Sequence, residues 1–248
     1  MTQKYTFFVN CVKSKSDFTY RKDAKPKALY ITANGKNRRD MAGRYTKAEL
    51  KEKLQHSAFH ITAEEGLEKV TVRKLTRGCG LSDPYLYQCY ADMAELVQDA
   101  FLKVDKEVGD MIDGMLEGYL ADNISSEEMH DLFCTMWKKY WEYLLNDPEK
   151  TIFYWRFYQS GYYTKEVLQK RLQNFTVFTN VVSKSSSGVG TPETEAIKVL
   201  IDDIIDLTAG MAVKVHLGFA KRDAVREEAF VESIYVMLFH FLHLMTQV

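Results

Sequence analysis

The chain has 248 residues, of which 46% are hydrophobic and 27% charged, with a formal net charge of −1. That balance excludes a disordered or collagen-like chain and leaves one large domain or two small ones. The four cysteines, Cys11, Cys79, Cys89 and Cys134, lack CxxC spacing, so neither a disulfide framework nor a zinc site is expected. No apolar run approaches a membrane span, and "YTFFVNCV" is too short and polar for a signal-peptide core, so a cytoplasmic protein is expected.

Charge is unevenly placed. Residues 1–45 hold 11 Lys and Arg against 3 Asp and Glu, whereas residues 46–92 balance at 7 and 7. The front of the chain therefore carries a basic excess, and that excess sits in a leader with no helical period. The leader reads as a disordered segment, as sequence upstream of a natural start at Met41, or as a basic arm lying along nucleic acid.

Helical signals begin at Thr46, which forms a capping box with Glu49 ahead of a stripe of Leu50, Leu54, Ala58 and Ile61. Gly66 closes this helix. Two short helices follow, near 71–78 and 82–89. Thr71 and Ser82 are their expected caps, Pro84 lies in the first turn of the second, and Gly78 and Gly80 supply left-handed backbone between them. Asp92 with Glu95 starts a longer helix, striped by Leu96, Val97, Ala100, Phe101, Val104 and Val108, whose far end Gly109, Gly114 and Gly118 are expected to loosen.

Ser126 opens the next helix. Asp147 and Pro148 open another, and Thr164 one that should run to about Ser183. "SKSSSGVGTPE" is a flexible linker, after which Thr191 caps a helix to about Phe219 and a last helix spans Ala224 to Gln247. With four Pro in the chain and no strand pattern after residue 45, the expected fold is all-α, of about nine helices.

The stretch "AFHITAEEGLEKVTVRKLTRGCGLSDPYLYQCYADMAEL" resembles the N-terminal domain of the tetracycline-repressor (TetR) family of transcription regulators. The resemblance rests on Gly66 after the first helix, "TVRKL" opening the second, "GLS" in the turn and the Leu86–Tyr87 pair in the third. Tyr90 and Leu96 stand where the family has an aromatic residue and a Leu. It implies a helix-turn-helix DNA-binding domain at 46–92, with the motif at about 71–90, and a ligand-binding and dimerisation domain at 93–248. Carried over by position, Thr71, Ser82 and Tyr87 would bind phosphate, and Arg73 would reach a base or a phosphate. Asp83, Tyr85 and Gln88 would read base edges, Gln by pairing two edges of adenine and Tyr by packing on a thymine methyl. Pro84 in the recognition helix and Arg44 ahead of the first helix complete the expected DNA-contacting set. The chain departs from the family at Pro84, where a small residue is usual, at Thr76, where Ala is usual, at Gly78, inside the second helix, and at Met93, where a phosphate-contacting Lys is usual.

Residues 133–163 hold 12 aromatic side chains, among them all three Trp of the chain. In the family the corresponding helices enclose an effector cavity, so Trp137, Tyr140, Trp141, Tyr154, Tyr158 and Tyr162 are expected to line a site for a flat or apolar small molecule. The pairs His56/His60 and His240/His243 have helical spacing but no third ligand nearby, so neither metal nor cofactor is expected. No nucleophile elbow, phosphate-binding loop or HExxH occurs, and no enzyme is expected. The reading is a ligand-responsive, dimeric transcription regulator, in the first place a repressor, on a near-palindromic DNA operator. The alternative is a co-regulator of the same fold that has lost operator binding and acts through protein contacts.

Overall fold

The computed structural model describes residues 45–116, 126–175 and 192–245. The leader with Arg44, Gly118, the linker from Ser183 with its cap Thr191, and the end beyond Met245 lie outside the described residues. Within them the chain is all-helical, with nine α-helices and a single 3₁₀ turn.

Helix α1, Lys47–Glu65, starts at the expected capping box: the Thr46 side chain accepts from the Glu49 backbone N–H, and Glu49 accepts from that of Thr46. Gly66, at φ 108°, ends it. After a 3₁₀ turn at Leu67–Lys69, α2 (Val72–Gly78) and α3 (Pro84–Cys89) pack on α1. The stripe Leu50, Leu54, Ala58 and Ile61 is buried with Leu67, Leu75, Leu86 and Tyr90, which is the tertiary support such short helices need. Of the two glycines in the turn, only Gly80 is left-handed, at φ 69°. Gly78 is still helical, and its missing Cβ leaves room for the Ser57 hydroxyl, which would stand 2.6 Å from that atom.

Helix α4, Met93–Leu116, begins where Asp92 Oδ1 accepts from the Glu95 N–H at 2.8 Å, and it buries its whole expected stripe. It is joined to α1 through Asp99, which accepts from Tyr90 Oη at 2.8 Å, Gln55 Nε2 at 3.1 Å and Lys51 Nζ at 3.1 Å. Gly109 does not loosen it. A Cβ there would lie 2.0 Å from the Asn174 carbonyl oxygen, so this glycine permits close approach of the chain after α7.

Helices α5 (Ser126–Asn146) and α6 (Pro148–Tyr158) are joined at Asp147, whose side chain accepts from the Lys150 N–H. Helix α7, Lys165–Leu172, is capped by Thr164 and stops well before Ser183. There the chain turns through Gln173, which lets Asn174 reach α4. Helices α8 (Pro192–His216) and α9 (Ala224–Met245) follow. α6 is central, packing on α1, α4, α5 and α8. Phe153 of α6 meets Phe59 of α1 edge-on at 4.8 Å, and His60 Nδ1 lies 2.9 Å from Glu149 Oε1. One continuous apolar core runs from α1 to α9.

Candidate functional site

The α2–turn–α3 unit sorts its side chains cleanly. α2 buries Leu75 and Thr76 and exposes Arg73 and Arg77, one turn apart. α3 buries Leu86 and Cys89, while Pro84, Tyr87 and Gln88 form its exposed face. Tyr87 is 60% exposed, so it is available to a partner and does no core packing. Tyr85 is half-buried against the core edge, leaving Gln88 as the more open of the two expected base readers.

Thr71 caps α2: its Oγ1 accepts from the Lys74 N–H at 3.4 Å. The hydroxyl proton remains available for a phosphate oxygen, so capping and phosphate binding are compatible. Ser82 is exposed but is not the side-chain cap of α3, because Asp83 occupies the N-cap position in αR geometry without a capping bond. Asp83 Oδ1 instead accepts from Thr76 Oγ1 at 2.6 Å. Two departures from the family pattern thus meet: Thr76, in place of the usual Ala, pins α3 to α2 through Asp83. This bond also occupies one of the two carboxylate oxygens that base reading would use.

The charge on this face is modest. Lys51 is paired with Asp99 and Lys74 with Glu65. Met93 stands at the first turn of α4, half-buried, and offers no cation there.

The aromatic segment divides into three environments. Trp137 and Tyr140, with Ile112, Phe133, Phe175 and Leu238 among others, line an apolar cavity of about 60 Å³ between α4, α5, α8 and α9. Trp141 lines a different feature, an outer cleft of about 290 Å³ shared with Met211, Phe219, Arg226 and Phe230. Trp137 and Trp141 stack at 5.4 Å, and each buries an indole N–H that has no acceptor among the described residues. Tyr140 donates to the Ile205 carbonyl at 3.1 Å.

Tyr154 and Tyr158, expected in the cavity wall, belong to a buried ionic cluster. Asp105 Oδ1 accepts from Tyr154 Oη at 2.7 Å and from Arg171 Nε at 2.7 Å, and Asp105 Oδ2 from Asn174 Nδ2 at 3.0 Å. Arg171 also pairs with Asp202, to which Tyr163 donates at 3.0 Å. Tyr158 bonds the Tyr154 hydroxyl and packs against Arg171. Burial pushes the phenols of Tyr140, Tyr154 and Tyr158 well above their ordinary range, so they remain neutral donors. Tyr162, half-buried, is engaged through its backbone by Gln98 and Ser160 and lines neither space.

Sequence spacing did not reveal this cluster, although Asp105 interrupting the stripe Val97, Phe101, Asp105 was its available signal. Nor did it reveal that His130, Cys134 and Glu232 come together between α5 and α9. His60 is instead paired with Glu149.

The sequence matches no family model and no curated protein. Solved structures do match. A TetR family transcription regulator from Marinobacter aquaeolei VT8 aligns with a TM-score of 0.56 at 17% identity, over 75% of this chain and 93% of its own. For a putative tetR family transcription regulator from Shewanella sp. PV-4 the TM-score is 0.57 at 14% identity, over 79% and 97%. The transcriptional regulator FadR from Bacillus subtilis in complex with stearoyl-CoA aligns at 0.51 and 16%, over 75% and 96%. The chain has the all-α fold of these TetR-type regulators.

Proposed function

On the premise of that shared fold, we propose that the chain is a dimeric, ligand-responsive transcription regulator whose α3 enters the DNA major groove, acting in the first place as a repressor. The observation that carries this reading is the sorting of α2 and α3. Their buried faces are fully apolar or satisfied, while Thr71, Arg73, Arg77, Ser82, Tyr87 and Gln88 are left outward on a two-helix unit of groove-fitting size. Thr71, Ser82 and Tyr87 hold phosphates, Arg73 reaches a phosphate or a base, and Gln88, with the edge of Tyr85, reads bases.

The effector reading is supported by the Trp137–Tyr140 cavity. At about 60 Å³ it is well below the several hundred Å³ of an occupied ligand site, so an apolar or aromatic effector enlarges it by separating α5 from α8 and α9. The buried indole N–H of Trp137, which has no acceptor among the described residues, supplies a donor for an acceptor atom on that ligand once the cavity opens. A neighbour that carries stearoyl-CoA accords with a ligand entering a body of this fold. Ligand entry would shift the protein toward a state with altered spacing of its two reading heads.

A second reading, a co-regulator that does not bind an operator, draws on Met93 and on the Asp83 carboxylate at the tip of α3. A gel shift with the DNA flanking the chain's own gene separates the two. The regulator reading expects a sequence-selective shift that Thr71→Ala weakens on all DNA alike. Met93→Lys should tighten binding and steepen its salt dependence by about one unit per half-site. A chain that shifts no DNA even as Met93→Lys is a co-regulator.

A further inference from the structure

We propose that His130, Cys134 and Glu232 form a binding site for a zinc-class divalent cation, clamping α5 to α9. His130 and Cys134 stand one turn apart on α5, and Glu232 faces them from α9. His130 Nε2 lies 2.9 Å from Glu232 Oε1 and 3.6 Å from Cys134 Sγ, and the three ligand atoms all lie within 4.8 Å of one another. A tetrahedral zinc ion with ordinary Zn–S, Zn–N and Zn–O bonds separates its ligand atoms by about 3.3–3.6 Å. The observed His–Glu and His–Cys separations bracket that edge length, so small side-chain rotations close the site.

The surroundings suit a metal as well as the distances do. His130 Nδ1 lies 3.6 Å from Asp131 Oδ1 and 4.0 Å from Cys134 Sγ. That exposed carboxylate is beyond hydrogen-bond length from the ring and limits it only loosely. Tyr235 packs edge-on against the same ring at 4.7 Å and restricts it further. The side chains of His130 and Glu232 are 22% and 27% exposed, sheltered but open to an entering ion. A thiolate and a carboxylate together neutralise a dication. One sulfur, one nitrogen and one oxygen donor favour zinc or its cobalt substitute over magnesium or calcium. Three protein ligands leave a fourth position to water. The site is independent of DNA reading. It adjoins the cavity through Phe133, whose ring meets Tyr235 at 5.5 Å, so a bound ion stiffens one cavity wall.

The test is a Co²⁺ titration of the reduced, chelator-treated full-length protein, followed by absorbance. The expected result is one equivalent per chain, with a near-ultraviolet thiolate-to-cobalt band and visible bands of tetrahedral intensity, both displaced by Zn²⁺. Cys134→Ser should abolish the thiolate band, and His130→Gln and Glu232→Gln should each weaken binding at least about tenfold, since even outer-shell changes cost that much. No cobalt spectrum in the wild type, or a thiolate band that survives Cys134→Ser, overturns the proposal. Should Cys134→Ser fail to fold, alkylation of the wild type decides: Zn²⁺ should protect Cys134 but not Cys79 or Cys89, and equal labelling of Cys134 with and without Zn²⁺ rejects the site.

Discussion

Gly109 and Gly114 stand five residues apart on α4, and adding a methyl group has opposite consequences at the two. At Gly109 a Cβ would lie 2.0 Å from the Asn174 carbonyl oxygen, a backbone atom held in place by the Asn174–Asp105 bond. Gly109→Ala should therefore destabilise the chain by about 1–3 kcal/mol, more than its gain in helix propensity returns. At Gly114 a Cβ meets nothing within 4 Å, and Gly114→Ala should stabilise by up to about 1 kcal/mol. Urea denaturation of the two variants checks both signs. If both prove stabilising, the close passage of Asn174 over α4 is wrong. Gly210 belongs with Gly109: a Cβ there would lie 2.8 Å from Trp155 Nε1, so this glycine seats an indole of α6 against α8. The small residues of α8 are thus used within the chain, with Ala209 and Ala212 also fully buried, and they do not by themselves argue for approach by a second copy.

Among the elements, α4, α6, α7 and α8 meet at the Asp105–Arg171 pair, and both side chains are almost wholly buried. A buried pair adds little over an apolar replacement, but breaking one half leaves a desolvated charge. Arg171→Met alone should cost about 3–5 kcal/mol, whereas Arg171→Met with Asp105→Leu should recover much of that loss. Chemical denaturation of the single and double variants measures the coupling, and additive losses would contradict it. Elements of this kind divide what sequence reveals from what it hides. The caps Thr46, Thr71, Asp92, Asp147 and Thr164, and the stripes of α1 and α4, act over a turn or two and were legible. So was the fold, through the spacing of Gly66, Leu86 and Tyr90. The early end of α7 was not, because it follows from Asn174 crossing to Asp105, 69 residues away in sequence. For the same reason Tyr154 and Tyr158 could not be separated from the cavity residues Trp137 and Tyr140. All four are aromatic at helical spacing, and only the distant Asp105 and Arg171 draw two of them aside. The Thr76–Asp83 bond was within reach, since both are polar and stand seven residues apart across one short turn.

At the scale of the whole molecule, α4 joins the α2–turn–α3 unit to the cavity wall. Its 24 residues are about 36 Å long, and the part from Met93 beside α3 to Ile112 in the cavity wall covers about 29 Å. A ligand that moves Ile112 or Trp137 has a rigid path to the head through α4, and a second path through α6 and the Phe153–Phe59 contact. Pairing of two heads requires a dimer, and the surface that suits one carries Val199 and Leu207 on α8 and Val236, Met237 and Phe239 on α9, all well exposed in the single chain. We propose these exposed apolar side chains as the association surface. Light scattering of the wild type at micromolar concentration should give twice the chain mass, and Phe239→Glu should give the monomer with its helical circular dichroism intact. A monomeric wild type would reject the pairing.

As proposed, two α3 helices read DNA together, and selection from a random duplex pool tests it whatever the sequence of the operator. After several rounds of capture on the full-length chain and sequencing, the bound fraction should converge on an inverted repeat. Its half-sites should lie about one helical turn or a multiple apart, and Gln88→Ala should relax one position in each half. A pool that stays as random after selection as before it would contradict the account.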